Sequence, residues 1–78
     1  MTSIALITGA GIGIGRATAK MLAARGDHVV VTDVLEDDGR SVVQEIRKAG
    51  GEAEFQHLDV RDTARANSVV KDIETRFG

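Results

Sequence analysis

The sequence predicts an α/β fold: a parallel sheet of three strands joined by helices in the order βαβαβα. Two observations carry this. Short runs of aliphatic residues alternate with longer segments in which apolar residues recur at helical spacing. Glycines, or acids suited to helix starts, sit at the joints between them. Strands that alternate with helices give right-handed crossovers, parallel neighbours and helices layered on the sheet.

Ile4-Ala5-Leu6-Ile7 is a continuous apolar run before a glycine-rich segment, the pattern of a strand buried on both faces. Residues 13–25 predict a helix with Ala17, Met21 and Ala24 as its apolar stripe and Gly26 as its stop. Residues 29–32 (Val-Val-Val-Thr) predict the second strand. The next helix is expected from about Asp38, with Asp37 or Asp38 as N-cap. Its buried stripe would be Val42, Val43, Ile46 and Ala49, and Gly50-Gly51 would end it. Residues 53–58 predict a third, weaker strand. Asp62 or Thr63 can cap a last helix with Ala66, Val69, Val70, Ile73 and Phe77 on one face.

Composition narrows the function. Hydrophobic residues make up 42% and charged residues 28%, a globular balance, and the formal net charge is −2 with both signs interspersed. No basic tract points to nucleic acid, and no apolar run approaches the length of a membrane span. The start carries no basic leader and its apolar run is too short for a signal segment, so a cytoplasmic protein is expected. Without cysteine there is no disulfide, thiolate site or cysteine nucleophile. Two distant histidines, His28 and His57, give a metal site little to build on, and no metal is expected.

Thr8-Gly9-Ala10-Gly11-Ile12-Gly13-Ile14-Gly15 lies where the first strand would meet the first helix. A helix start presents unpaired N–H groups and a partial positive charge, which suit a pyrophosphate. Glycines let the chain turn tightly and approach phosphates without a Cβ in the way. An acid, Asp33, follows the second strand about twenty residues past the turn, as a ribose-binding acid would. Together these favour a Rossmann-type nucleotide-binding unit with strand order 3-2-1. The strict G-x-G-x-x-G spacing is not met: counted from Gly9 it ends on Ile14, and counted from Gly11 on Arg16.

The spacing that is met is T-G-x-x-x-G-x-G, through Thr8, Gly9, Gly13 and Gly15. In this, and along its whole length, the chain resembles the classical short-chain dehydrogenase/reductase family. Extended relatives would need glycine where Ile12 stands. The resemblance implies that residues 1–78 form the N-terminal part of one NAD(P)-binding domain. It places Gly9, Gly11, Ile12, Gly13 and Ile14 along the pyrophosphate and adjoining ribose. An ionised Asp33 would accept from ribose hydroxyls and repel a 2′-phosphate. Relatives that prefer NADP carry a basic residue before the second motif glycine or after the second strand. Ile12 and Val34 stand there instead, so NAD is expected over NADP. Arg16 reads as a solvated residue of the first helical turn.

By the same resemblance Asp59 and Val60 would contact the adenine, Asp59 accepting from its amine. Glu36, Asp37 and Asp38 read as acids favouring the positive end of the following helix. The charges of the last two helices read as solvated faces, and neither histidine shows a catalytic pattern. Catalysis in the family uses a serine and a Tyr-x-x-x-Lys pair supported by asparagine. This chain contains no tyrosine, and Ser41, Ser68 and Asn67 fall on predicted helices outside that pattern. No catalytic residue is therefore assigned. The expectation is the NAD-binding portion of an enzyme that transfers hydride between NAD and a hydroxyl or carbonyl substrate. The whole protein would be a homo-oligomer acting on a small molecule. The alternatives are a non-catalytic nucleotide-binding or interaction module, and a methyltransferase-like protein with a related glycine turn. The Thr8-Gly9 opening and Asp59-Val60 argue against the last.

Overall fold

A computed structural model describes residues 3–78. The elements follow in the expected order: β1 (Ile4–Ile7), α1 (Gly13–Ala24), β2 (His28–Asp33), α2 (Glu36–Lys48), β3 (Glu52–His57) and α3 (Thr63–Phe77). The strands form one parallel sheet with β2 between β1 and β3, the 3-2-1 order. Ile7 lies beside Val31, and Asp33 beside His57. This register brings the carboxyl ends of β2 and β3 level, just beyond the end of β1.

Val-Val-Val-Thr is β-branched throughout, which suits a central strand covered on both sides. Val29, Val30, Val31 and Thr32 are all fully buried. Alternation divides them between two faces. Val29 and Val31 join Ala53, Val42, Val43, Ile46, Ala19 and Ala23 in the main core under α1 and α2, with Phe55 packed beside it. His28 and Glu54 face the other side, where Arg76 and Phe77 of α3 meet them. The layers are therefore α1 and α2, the sheet, then α3. Two successive right-handed crossovers in one direction put α1 and α2 on the same face. A fully buried valine contributes on the order of 1.5–3 kcal/mol, so β2 is the main anchor of the unit.

Several expectations need correction. The exposed Ala17, Met21 and Ala24 do not form the inner stripe of α1; Ala19 and Ala23 do. Met21 is 64% exposed. Small residues win because they let the helix lie close to the sheet. Helix α2 starts earlier than expected, with Leu35 at the N-cap, and Asp37 and Asp38 stand in its first turn without capping it. Ala49 is exposed past the end of α2, while Val42, Val43 and Ile46 are buried as expected. Strand β1 is only half-buried, because β2 is its sole partner among the described residues. Asp62 does cap α3, accepting from Arg65 N–H at 3.0 Å. On α3 only Val69 is fully enclosed, and Val70 and Phe77 remain partly exposed.

The charged residues of α3 are all exposed, as expected, but some of them also pair with polar residues of the sheet. Glu54 points from β3 toward α3 and takes Arg76 at 3.0 and 2.6 Å and His28 at 2.9 Å. The His28 and Phe77 rings lie 4.8 Å apart. Gln56 reaches Asp72 at 3.2 Å. On this side a polar cluster fastens the helix where apolar side chains are few. Arg76, and less strongly His28 and Gln56, hold the Glu54 carboxyl down at about 2, against a smaller upward push from burial.

Candidate functional site

The loop between β1 and α1 lies at the carboxyl ends of the strands, where open α/β sheets bind ligands. Gly9 and Gly13 both take φ of +60°, a left-handed conformation that an L side chain adopts only with strain. They reverse the chain from the strand into the helix. Gly15 answers a different need: a Cβ there would run into the backbone carbonyl of Gly9. The close approach joins the first helical turn to the loop itself. The loop is further tied to β2 by Ala10 N–H donating to the Thr32 carbonyl at 3.0 Å. The Thr32 hydroxyl donates to the Ile7 carbonyl at 2.8 Å.

The N-terminus of α1 is left open. Its N-cap is Ile12, with no side-chain cap, and no acid occupies the first turn. The unpaired N–H groups there carry the partial positive charge of the helix with nothing local to cancel it. Ile12 and Ile14 border it, 58% and 87% exposed. Arg16 is a solvent-facing residue of the first helical turn, as expected, and it is not directed at this opening. It pairs with Glu45 of α2 at 2.6 Å, and Lys20 joins the same carboxylate at 3.0 Å. These cations lower the Glu45 pKa and Glu45 raises that of Arg16.

Asp33 ends β2 directly beneath the loop and is only 6% exposed. Its Oδ2 accepts from Gly11 N–H and its Oδ1 from Leu35 N–H, both at 2.9 Å. The carboxylate thus pins the glycine loop to the start of α2. Each oxygen still has lone-pair capacity for a further donor. Gly11 is buried in this contact: a Cβ there would lie 2.9 Å from both Asp33 Oδ2 and Asp38 Cβ. The sequence reading missed this structural duty of Asp33. The spacing that suggested ribose binding also lets the acid reach back to the loop.

Asp59 follows β3, with Val60 beside it, 62% exposed. Arg61 engages the Asp59 carboxylate through Nε and Nη2 at 3.0 and 2.8 Å, and its N–H donates at 2.9 Å. Arg61 thereby holds the Asp59 carboxyl at about 2, so it is an acceptor throughout the neutral range. His57 does not enter the site as a catalytic group; its carbonyl accepts from Arg65 on α3. Among the described residues no three His, Cys, Asp or Glu side chains are placed to hold a metal ion. Nor is any described helix long and apolar enough to cross a membrane. A second cleft of about 540 Å³ lies at the opposite end of the sheet, lined by Lys20, Asp27, Glu45 and Gly51 among others. Lys20 and Glu45 pair with each other, Glu45 also with Arg16 and Asp27 with Arg25, and the cleft is remote from the glycine loop.

A parallel 3-2-1 sheet, a glycine loop at an open helix start and an acid at the end of the second strand define a Rossmann-type unit. The chain belongs to the short chain dehydrogenase family, whose profile matches residues 3–78. It is 45% identical over 75 residues to 2,5-dichloro-2,5-cyclohexadiene-1,4-diol dehydrogenase LinX of Sphingobium indicum, which covers 96% of this chain and 30% of that protein. It is 40% identical over 81 residues to trans-4-hydroxycyclohexanecarboxylate dehydrogenase of Sinomonas cyclohexanicum, covering 96% of this chain and 31% of that protein. A short chain dehydrogenase/reductase from Burkholderia phymatum, solved in complex with NAD, superposes with a TM-score of 0.88 at 35% identity. That match covers 94% of this chain and 26% of the solved one. The chain thus spans under a third of the length of these relatives and corresponds to their N-terminal, nucleotide-binding portion.

Proposed function

We propose that residues 1–78 are the cofactor-binding part of a single-domain oxidoreductase that moves hydride between NAD and a hydroxyl or carbonyl group of a small molecule. The observation that carries this is the N-terminus of α1. It is uncapped and free of acids, and the two left-handed glycines and Gly15 shape the loop in front of it. Such an end holds a pyrophosphate through backbone N–H groups and the helix dipole.

The residues present fit a dinucleotide. On this reading Gly9, Ile12, Gly13 and Ile14 line the pyrophosphate and its ribose, and Gly11 sets the loop by its bond to Asp33. Asp33 accepts from the adenosine ribose, and Asp59 and Val60 flank the adenine. The exposed side chains of Ile12, Ile14 and Val60 gain cover when a ligand lies across them. The nicotinamide, when bound, supplies or takes up the hydride. This chain's own residues bind and orient the cofactor, and no tyrosine is present to move the substrate proton. The two dehydrogenases named above act on ring alcohols, as their names state. They support a dehydrogenase over a non-catalytic module. Cytoplasmic location and assembly into a homo-oligomer are part of the same proposal.

Calorimetry of the full-length protein with NAD and NADP tests the reading. NAD should bind one per chain and NADP at least about tenfold more weakly, the size expected from one or two unscreened like charges. Equal affinities would remove the discriminating role from Asp33, and no binding of either would remove the cofactor assignment.

A further inference from the structure

We propose that Asp38 is a second determinant of cofactor choice, excluding a dinucleotide that carries a 2′-phosphate. This rests on the reading that the glycine loop and Asp33 hold the adenosine half of a dinucleotide.

The two helix starts at the site have opposite character. That of α1 has no acid in its first turn, whereas that of α2 has Glu36, Asp37 and Asp38. Both lack a side-chain cap. The first N–H groups of α2 are therefore open donors, and its dipole would by itself attract a phosphate. Its position makes this matter. Gly11 is enclosed by the Asp33 carboxylate, the Cβ of Asp38 and the backbone N of Gly39, so the ribose end of the site and the first turn of α2 coincide. A shallow groove lined by Val34, Leu35, Glu36, Asp37 and Asp38 opens there.

Asp33 opposes a 2′-phosphate from beneath the loop, but it is not the only acid at this end of the site. It is nearly enclosed, and both of its oxygens face backbone N–H donors that offset its charge. Glu36 is matched by Arg40 at 3.0 Å. Asp37 and Asp38 form no ion pair among the described residues. Of these two, Asp38 is the one packed on Gly11. Its negative charge reverses the sign of a helix start that would otherwise welcome the extra phosphate. A ribose with free hydroxyls meets no such repulsion.

The test uses the full-length protein and its Asp38→Asn and Asp37→Asn variants, titrated with NAD and with NADP at low and at high salt. Asp38→Asn should tighten NADP by about three- to tenfold at low salt, the effect of removing one nearby exposed charge, with the gain shrinking as salt rises. NAD affinity should stay within about twofold, which also shows that the loop is intact. Asp37→Asn should tighten NADP less. Asp38→Ser, which keeps a short polar residue in the first turn, should repeat the Asp38→Asn result. An unchanged NADP-to-NAD ratio in both Asp38 variants would overturn the proposal. So would an equal gain from Asp37→Asn, or loss of NAD binding in both Asp38 variants. Failure of the wild type to bind NAD would instead overturn the underlying cofactor reading.

Discussion

Asp33→Asn changes a single heavy atom of an enclosed carboxylate and leaves one of its two hydrogen bonds unmade. The two oxygens accept from Gly11 and Leu35 N–H groups, each at 2.9 Å. An amide keeps one acceptor, so its NH2 must face the other donor. The Gly11 bond is buried and the Leu35 bond only partly so, which turns the amide oxygen toward Gly11. Water can then reach the Leu35 N–H. A lost charge-assisted bond costs about 1.5–3 kcal/mol, so a loss of about 2 kcal/mol is expected for Asn. Asp33→Ala removes both bonds and leaves the Gly11 donor unsatisfied, for a loss of about 3–5 kcal/mol. Urea unfolding of the full-length protein without nucleotide measures the loss, and hydrogen exchange at Gly11 shows whether the loop has come free. A change under about 0.5 kcal/mol for both variants, with Gly11 protection unchanged, would refute the structural role given to Asp33. If the role holds, weak NAD binding by an Asp33 variant reports a loosened loop as well as a missing ribose contact.

Other outcomes follow from the same contacts. Gly15→Ala places a methyl against the Gly9 carbonyl, so NAD affinity should fall at least about tenfold with a stability loss of about 1–3 kcal/mol, read by calorimetry and urea unfolding; unchanged affinity would refute the close approach. Glu54 has its carboxyl lowered from an ordinary 4.5 to about 2, so its contribution is complete above pH 4.5 and is lost as pH falls from 4.5 toward 2. Solvent at this half-exposed cluster limits that contribution to about 1–2 kcal/mol. In Glu54→Gln the acid-unfolding profile should lose this component, and an unaltered profile would count against it. Residues 1–78 expressed alone should show no dehydrogenase turnover, since they contain no tyrosine; activity that follows the peptide through purification would contradict this. The same peptide should self-associate through the half-buried β1, and sedimentation showing a stable, well-protected monomer would argue otherwise.

Much of the fold is legible because strand and helix periods differ and the breaks between them fall at glycines or acids. The valine run of β2 and the Val42, Val43 and Ile46 stripe of α2 have one reading each. Helix α1 does not: alanines occur on both of its sides, and Met21 drew the predicted stripe to the side left open in this structure. The start of α2 was misplaced because Asp37 and Asp38 look like caps, yet Asp33 had already bent the chain by binding Leu35 N–H. The cluster of Glu54, His28, Arg76 and Asp72 joins residues far apart in sequence. Only the alternation of Glu52, Glu54 and Gln56 on one face of β3 hinted at it. At the site, residue types and spacing located the glycine loop and Asp33. They did not show that Gly11 is enclosed, or that Arg61 already grips Asp59.

The central claim is that the glycine loop at the start of α1 receives the nucleotide. Backbone amide spectra of the isotope-labelled full-length protein during NAD titration test it most directly. The account expects the largest changes at Ile12, Gly13 and Ile14, lesser ones at Leu35 and Val60, and none at Gly26 or Gly50 at the far end of the sheet. Changes centred on the far cleft, or a silent glycine loop at saturating NAD, would contradict it.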